Sequence, residues 1–218
     1  MHDMDLDQRT KFLSENSQAW LILEKMISPD PYLRDKGLED LYSLQDFQNH
    51  PLIVYVLVTR ILDPDLEIRL HAIQMLGKML GSNSPGEELP ENSFRTVTEF
   101  TSQMDKGGLI KLLEIGVAYI AAEEAIITIL KLCSFAGKDL GGIVNDRRLP
   151  VEIRQQAIHF SGEVGFLNTV SAIRNLIQRI EKNRAKSGLF KTRKKYLDEE
   201  TLYPYALAAL AKLDGTID

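Results

Sequence analysis

The residues able to do chemistry in this 218-residue chain are few and scattered. His71 and His159 have candidate co-ligands only at Glu67, four residues before the first, and Glu163, four residues after the second. Zinc needs three or four ligands, so one His and one Glu fall short of a site. The bland reading, a solvated helix face, is preferred for both. Cys133 is the single cysteine and sits between Leu132 and Ser134 in an apolar stretch. A reactive thiol needs an electropositive, accessible setting, so a buried small hydrophobe is expected there. Arg34, Arg69 and Arg154 could fork onto carboxylates or phosphates. Their fixed place beside a turn favours turn bracing instead. Trp20, the sole tryptophan, serves equally well as a contact residue or as a cap on the core. No nucleotide loop, acid–base pair or nucleophile motif is present, so the chain is read as non-catalytic, with no cofactor and no metal.

The strongest local anomaly is charge. Arg179, Lys182, Arg184, Lys186, Lys191, Arg193, Lys194 and Lys195 stand against the single Glu181, a local +7 in a chain of −5 overall. Phe190 and Tyr196 flank the run, with Ser187-Gly188 as a bend. A basic tract with interleaved aromatics can hold phosphates, from a nucleic acid or an acidic membrane. Its competing reading is a solvated loop, and that reading is preferred.

What positions these residues is a recurring segment. It reads Ser28-Pro-Asp-Pro-Tyr-Leu-Arg34-Asp-Lys-Gly37, then Asp63-Pro-Asp-Leu-Glu-Ile-Arg69-Leu-His-Ala72, then Asp146-Arg-Arg-Leu-Pro-Val-Glu-Ile-Arg154-Gln-Gln-Ala157. Each places an acidic or Pro-rich turn before a branched apolar residue and an Arg, with a small residue three positions later. Such a period marks stacked helical hairpins sharing one apolar seam. Proline ends one helix and suits the first turn of the next. Helices are expected over 18–27, with Trp20, Leu21, Leu23 and Ile27 on or near one face, and over 32–44, with Leu33, Gly37, Leu38 and Leu41 inward. Further helices are expected over 51–62 and from Ile68 to Leu80, then from 93 to 115 with a stumble at Gly107-Gly108. The remaining ones cover 121–132, 139–144, 151–164, 168–183 and 198–213. The fold class is all-α, an α/α superhelix of about five helix pairs in one domain over 1–218. Repeats are clear near 17–44, 51–80 and 138–164 and degenerate near 93–135 and 168–213. A loop is expected over 81–92 and a basic insert over 183–196. Ala72 and Ala157 should be buried close-contact positions. The inner, concave lining of second helices then comprises Lys36, His71, Gln74, Gln155, Gln156 and His159, the surface a protein or peptide partner would meet.

Composition agrees with an ordinary folded protein, with 44% hydrophobic and 26% charged residues. A net charge of −5 argues against a surface that coats nucleic acid. One cysteine allows no intramolecular disulfide. The first residues lack the basic start and apolar run of a signal peptide. The longest apolar run, Pro51 to Val58, falls short of the ~20 residues of a membrane span. A soluble, cytoplasmic protein is expected.

The segments Leu62-Asp-Pro-Asp-Leu-Glu-Ile-Arg-Leu-His-Ala-Ile-Gln-Met-Leu-Gly77 and Val144-Asn-Asp-Arg-Arg-Leu-Pro-Val-Glu-Ile-Arg-Gln-Gln-Ala-Ile158 resemble the HEAT-repeat family. The resemblance implies an α-solenoid, mostly non-catalytic, that binds protein partners. It also implies a ladder in which the turn Asp and second-helix Arg join neighbouring repeats. Carried over, that role falls on Asp63 with Arg69 and on Asp146 with Arg154, while the first repeat has Ser28 in place of the acid. A HEAT-like enzyme such as a DNA glycosylase or bilin lyase ranks third, since aromatics are only 7% and dispersed.

Overall fold

The structure, a computed structural model, describes residues 17–43, 51–81, 91–185 and 199–215. Those residues are almost entirely helical, with no strand among them. The chain divides into two compact units, Met1–Phe100 and Thr101–Asp218.

In the first unit, helix α1 (17–26) buries Ala19, Ile22, Leu23 and Met26. Their 3-1-3 spacing is one helical stripe. This corrects the expected face: Trp20, Leu21 and Ile27 are 64%, 57% and 61% exposed, and of that set only Leu23 is inward. Helix α2 (Pro31–Ser43) starts at a proline whose missing N–H costs nothing there. The Asp30 carboxylate accepts the Tyr32 N–H at 2.9 Å. Arg34, Gly37, Leu38 and Leu41 are buried on α2. Leu33 is not, because the buried stripe passes through Arg34 beside it. A Cβ on Gly37 would stand 2.8 Å from the main-chain nitrogen of Met26, so the α1–α2 crossing requires glycine.

Helix α3 (Pro51–Thr59) continues into a 3-10 turn, Arg60–Leu62, and α4 (Leu66–Gly81) follows. The β-prone run Val54-Tyr-Val-Leu-Val is helical, with Val54, Leu57 and Val58 fully buried. Asp65 caps α4 by accepting the N–H groups of Glu67 at 2.9 Å and Ile68 at 3.3 Å. Helix α4 packs on α2, α3 and the 3-10 turn. Ala72 is fully buried there. Of the expected loop over 81–92, residues 82–90 lie outside the described residues. Gly81 ends α4, and Glu91 and Asn92 already belong to α5 (Glu91–Ser102).

In the second unit, α6 (Lys106–Ala118) begins at Asp105, whose carboxylate accepts the Gly108 N–H at 2.8 Å. Gly107-Gly108 therefore lie in the first turn of a new helix; the break falls just before them, because Asp105 is a strong N-cap. A 3-10 turn (Ile120–Ala122) leads into α7 (Glu123–Lys131), then α8 (Ala136–Asn145) and α9 (Val151–Val164). Gly165 closes α9 in the left-handed region, φ 82°. A 3-10 turn (Leu167–Thr169), α10 (Val170–Ala185) and α11 (Tyr203–Asp214) complete the unit.

The helices pair as α6–α7, α8–α9 and α10–α11. First helices lie against first helices (α6 on α8, α8 on α10) and second against second (α7 on α9, α9 on α11). The stretch read as one helix from 93 to 115 is two helices, α5 and α6. Residues 183–185, expected at the start of the basic insert, are the last of α10. Ala157 on α9 is fully buried. A Cβ on Gly162 would stand 3.0 Å from Ala209 Cα, so α9 and α11 cross at close quarters. No helix among the described residues is long and apolar enough to cross a membrane.

Candidate functional site

The repeat arginines are structural, but not in the expected pairing. Arg34 forks onto Asp63 through Nε and Nη2, both at 2.9 Å, and its Nη1 donates to the carbonyls of Ser28 and Pro29. Arg60 adds a bond to Asp63 at 3.2 Å. Arg69 meets Asp63 at its main-chain carbonyl, 2.8 Å away, and not at its carboxylate. The reason is local: Asp63 Oδ1 accepts the Asp65 N–H at 3.0 Å, and the carboxylate so held faces Arg34 of α2. The absence of an acid at Ser28 therefore leaves Arg34 with a carboxylate partner after all.

Asp146 and Arg154 are likewise not partners. Asp146 takes Arg148 at 3.0 and 3.1 Å and Lys106 at 2.9 Å, and these bonds, those of Arg148 first, hold its carboxyl well below the usual range. Arg154 donates Nε to the Val144 carbonyl and Nη2 to Glu199, both at 2.9 Å. Glu199 is the residue that sequence reasoning missed. Arg147 reaches it at 3.0 and 2.6 Å and Arg179 at 3.0 Å, so three guanidinium groups converge on one carboxylate that is 3% exposed. Burial disfavours its charge, but the hydrogen bonds from Arg147, Arg179 and Arg154 win and hold the carboxyl at about 2. No local signal could have found it, because its partners lie 20 to 52 residues away.

The six residues expected to line the second helices fall into two clefts. In the first unit a cleft of about 710 Å³ is lined by Lys36, His71 and Gln74, with Tyr42, Met75 and Lys78. That volume lies within the usual range of ligand sites. His71 Nδ1 stands 2.7 Å from Asp35 Oδ1, and the Lys36 ammonium lies 2.8 Å from Glu39 Oε2, which raises its pKa. Lys78 sits over the Tyr42 ring, 5.2 Å from its centroid.

In the second unit a smaller cleft of about 190 Å³ is lined by Gln155, Gln156 and His159. Gly116 and Phe160 close its wall, because a Cβ on Gly116 would stand 2.9 Å from the Phe160 ring. Ile120, 84% exposed, and Tyr205 also line it. His159 Nε2 is 2.9 Å from Glu123 Oε1 and Nδ1 is 3.6 Å from Glu163 Oε1. Lys212 pairs with the same Glu163 oxygen. The histidine expected to have Glu163 alone thus has a second carboxylate, brought by α7. Both His–acid pairs span 36 residues, from one second helix to the next.

The described part of the basic tract is largely engaged. Arg179 is held by Glu199, while Arg184 lies 3.4 Å from Glu200 and over the Tyr203 ring. Lys182 is exposed. Lys186, Lys191, Arg193, Lys194 and Lys195 lie outside the described residues. Cys133 is buried and its thiol, which approaches the Ile129 carbonyl, is pushed up to about 12 by burial, far from the thiolate a nucleophile needs. Comparison with protein-family models, curated proteins and solved structures finds no match for this chain.

Proposed function

We propose that the chain is a HEAT-like helical-repeat protein that binds a protein or peptide partner and does no chemistry on it. Each unit supplies stacked helical hairpins, and the faces of their second helices receive polypeptide segments. One observation carries the reading. Residues picked by sequence register alone, Lys36, His71, Gln74, Gln155, Gln156 and His159, lie three by three in two clefts, each touching successive hairpins. Clefts with apolar floors (Leu38 and Met75 in one, Phe160 in the other) and amide or charged rims suit side chains presented by a peptide. Polyanion binding through residues 179–195 is the weaker reading, since Arg179 and Arg184 already serve Glu199 and Glu200.

The test is a photo-crosslinking residue placed singly at Gln74, at Gln156 and at Tyr55, which is exposed on α3. A discrete adduct from Gln74 or Gln156 and none from Tyr55 is expected. Equal labelling from all three positions, or adducts from Tyr55 alone, would remove the reading.

A further inference from the structure

The two His–acid pairs differ in one respect. His71 has Asp35 on the neighbouring helix, but Glu67, the acid four residues before it, does not join them in a group of three close enough to share an ion, which leaves two donors together. His159 has Glu123 on the neighbouring helix and Glu163 four residues on, hence three. Residues at i and i+4 share one helix face, so α9 presents His159 and Glu163 together while the first turn of α7 presents Glu123. We propose that Glu123, His159 and Glu163 form a binding site for a first-row divalent cation, with Zn²⁺ as its reference occupant. This stands whether or not the clefts hold a polypeptide.

The donor chemistry fits. Imidazole and carboxylate oxygens are borderline-to-hard ligands that suit zinc, and three protein ligands with an open position define a zinc site that keeps a water. One oxygen from each acid and one ring nitrogen lie within 4.8 Å of one another. Tetrahedral ligands at zinc distances lie roughly 3.4 Å apart, so closing on an ion takes side-chain movements of about an ångström. All three side chains are partly exposed, at 23–42%, and have that freedom, while their backbones are fixed by two packed helices. The 190 Å³ cleft beside His159 and Glu123 has room for the water. Lys212 on Glu163 is the competitor, an ammonium paired with one of the oxygens the cation would use. On binding, the ion takes a lone pair from one imidazole nitrogen, and any proton held there passes to solvent.

The full-length chain is titrated with ZnCl₂ by calorimetry at neutral pH, and with Co²⁺ by visible absorption. The variants are His159→Ala, Glu163→Gln, Lys212→Ala and His71→Ala, each checked for helical circular dichroism. One equivalent is expected at micromolar affinity, with a tetrahedral Co²⁺ spectrum. His159→Ala and Glu163→Gln should each weaken it by about tenfold or more, as loss of one of three ligands does. Lys212→Ala should tighten it and His71→Ala should leave it unchanged. Because Lys212→Ala keeps every ligand, it yields an answer even if a ligand variant folds poorly. Absence of binding up to millimolar Zn²⁺, or a stoichiometric site that survives His159→Ala in folded protein, would overturn the assignment.

Discussion

Replacing Glu199 by Gln keeps the shape of the side chain and removes its charge from beneath three arginines. Two independent routes give the cost. The carboxyl is held at about 2 in the folded chain against an ordinary 4.5, and a displacement of that size corresponds to ~3 kcal/mol of stability at neutral pH. The second route asks what remains. Arg154, 3% exposed, would be left without its carboxylate, and breaking a buried ion pair typically costs about 3–5 kcal/mol. Arg147 and Arg179 are 44% and 29% exposed and can turn toward water, which places the expected loss near the lower end, about 3 kcal/mol. Urea unfolding followed by circular dichroism reads this directly: with a slope near 2 kcal/mol/M, the midpoint of the second unit should fall by about 1.5 M at pH 7. The folded-state pKa is depressed, so the stabilisation is complete above the unfolded value near 4.5 and is lost as pH falls from there through about 2. The gap between Glu199→Gln and the parent chain should therefore shrink across that window. Equal midpoints at pH 7 would refute the reasoning, and would mean that the cost of desolvating four charges cancels their attraction.

Two glycines of the second unit should respond with opposite sign: Gly162→Ala destabilises by about 1–2 kcal/mol because its Cβ meets Ala209 main chain, whereas Gly142→Ala, with nothing within 4 Å, stabilises by about 0.5–1 kcal/mol through helix propensity. Thermal melts of the two variants check the pair, and a common sign would show that the α9–α11 crossing is looser than described. Ala72→Leu should lower the melting temperature, at a cost of about 1–3 kcal/mol for overpacking a fully buried site; an unchanged melt would refute the close contact. Cys133, with its thiol at about 12, should resist a thiol-reactive chromophore at pH 8 until the chain is unfolded, and rapid labelling of the native protein would contradict its burial.

The helical content was legible because its signals are local: prolines at helix starts and apolar residues at helical spacing. The faces were less so. Trp20, Leu21 and Ile27 are strongly apolar and exposed, while Arg34 is charged and buried, so hydrophobicity alone misassigned α1 and part of α2. Burial of an arginine becomes favourable only when a carboxylate and main-chain carbonyls from elsewhere meet it, and those partners are set by packing. Lys36, His71 and Gln74 share one cleft, and Gln155, Gln156 and His159 another, because register on a helix fixes which side chains share a face. The third ligand-type residue beside His159 was not legible, since Glu123 arrives from another helix 36 residues earlier.

The arginine pairs also bear on the basic insert. Arg34 reaches an acid 29 residues on, at Asp63, in the next turn. Arg154 reaches one 45 residues on, at Glu199, beyond the segment that carries Lys186, Lys191, Arg193, Lys194 and Lys195. Glu199 thus stands after the basic segment, and Arg147, Arg154 and Arg179, which hold it, all precede the segment. Exchanging the segment's lysines for glutamine therefore removes none of these three ion pairs, and the Glu199 cluster should keep its contribution to stability in such a variant.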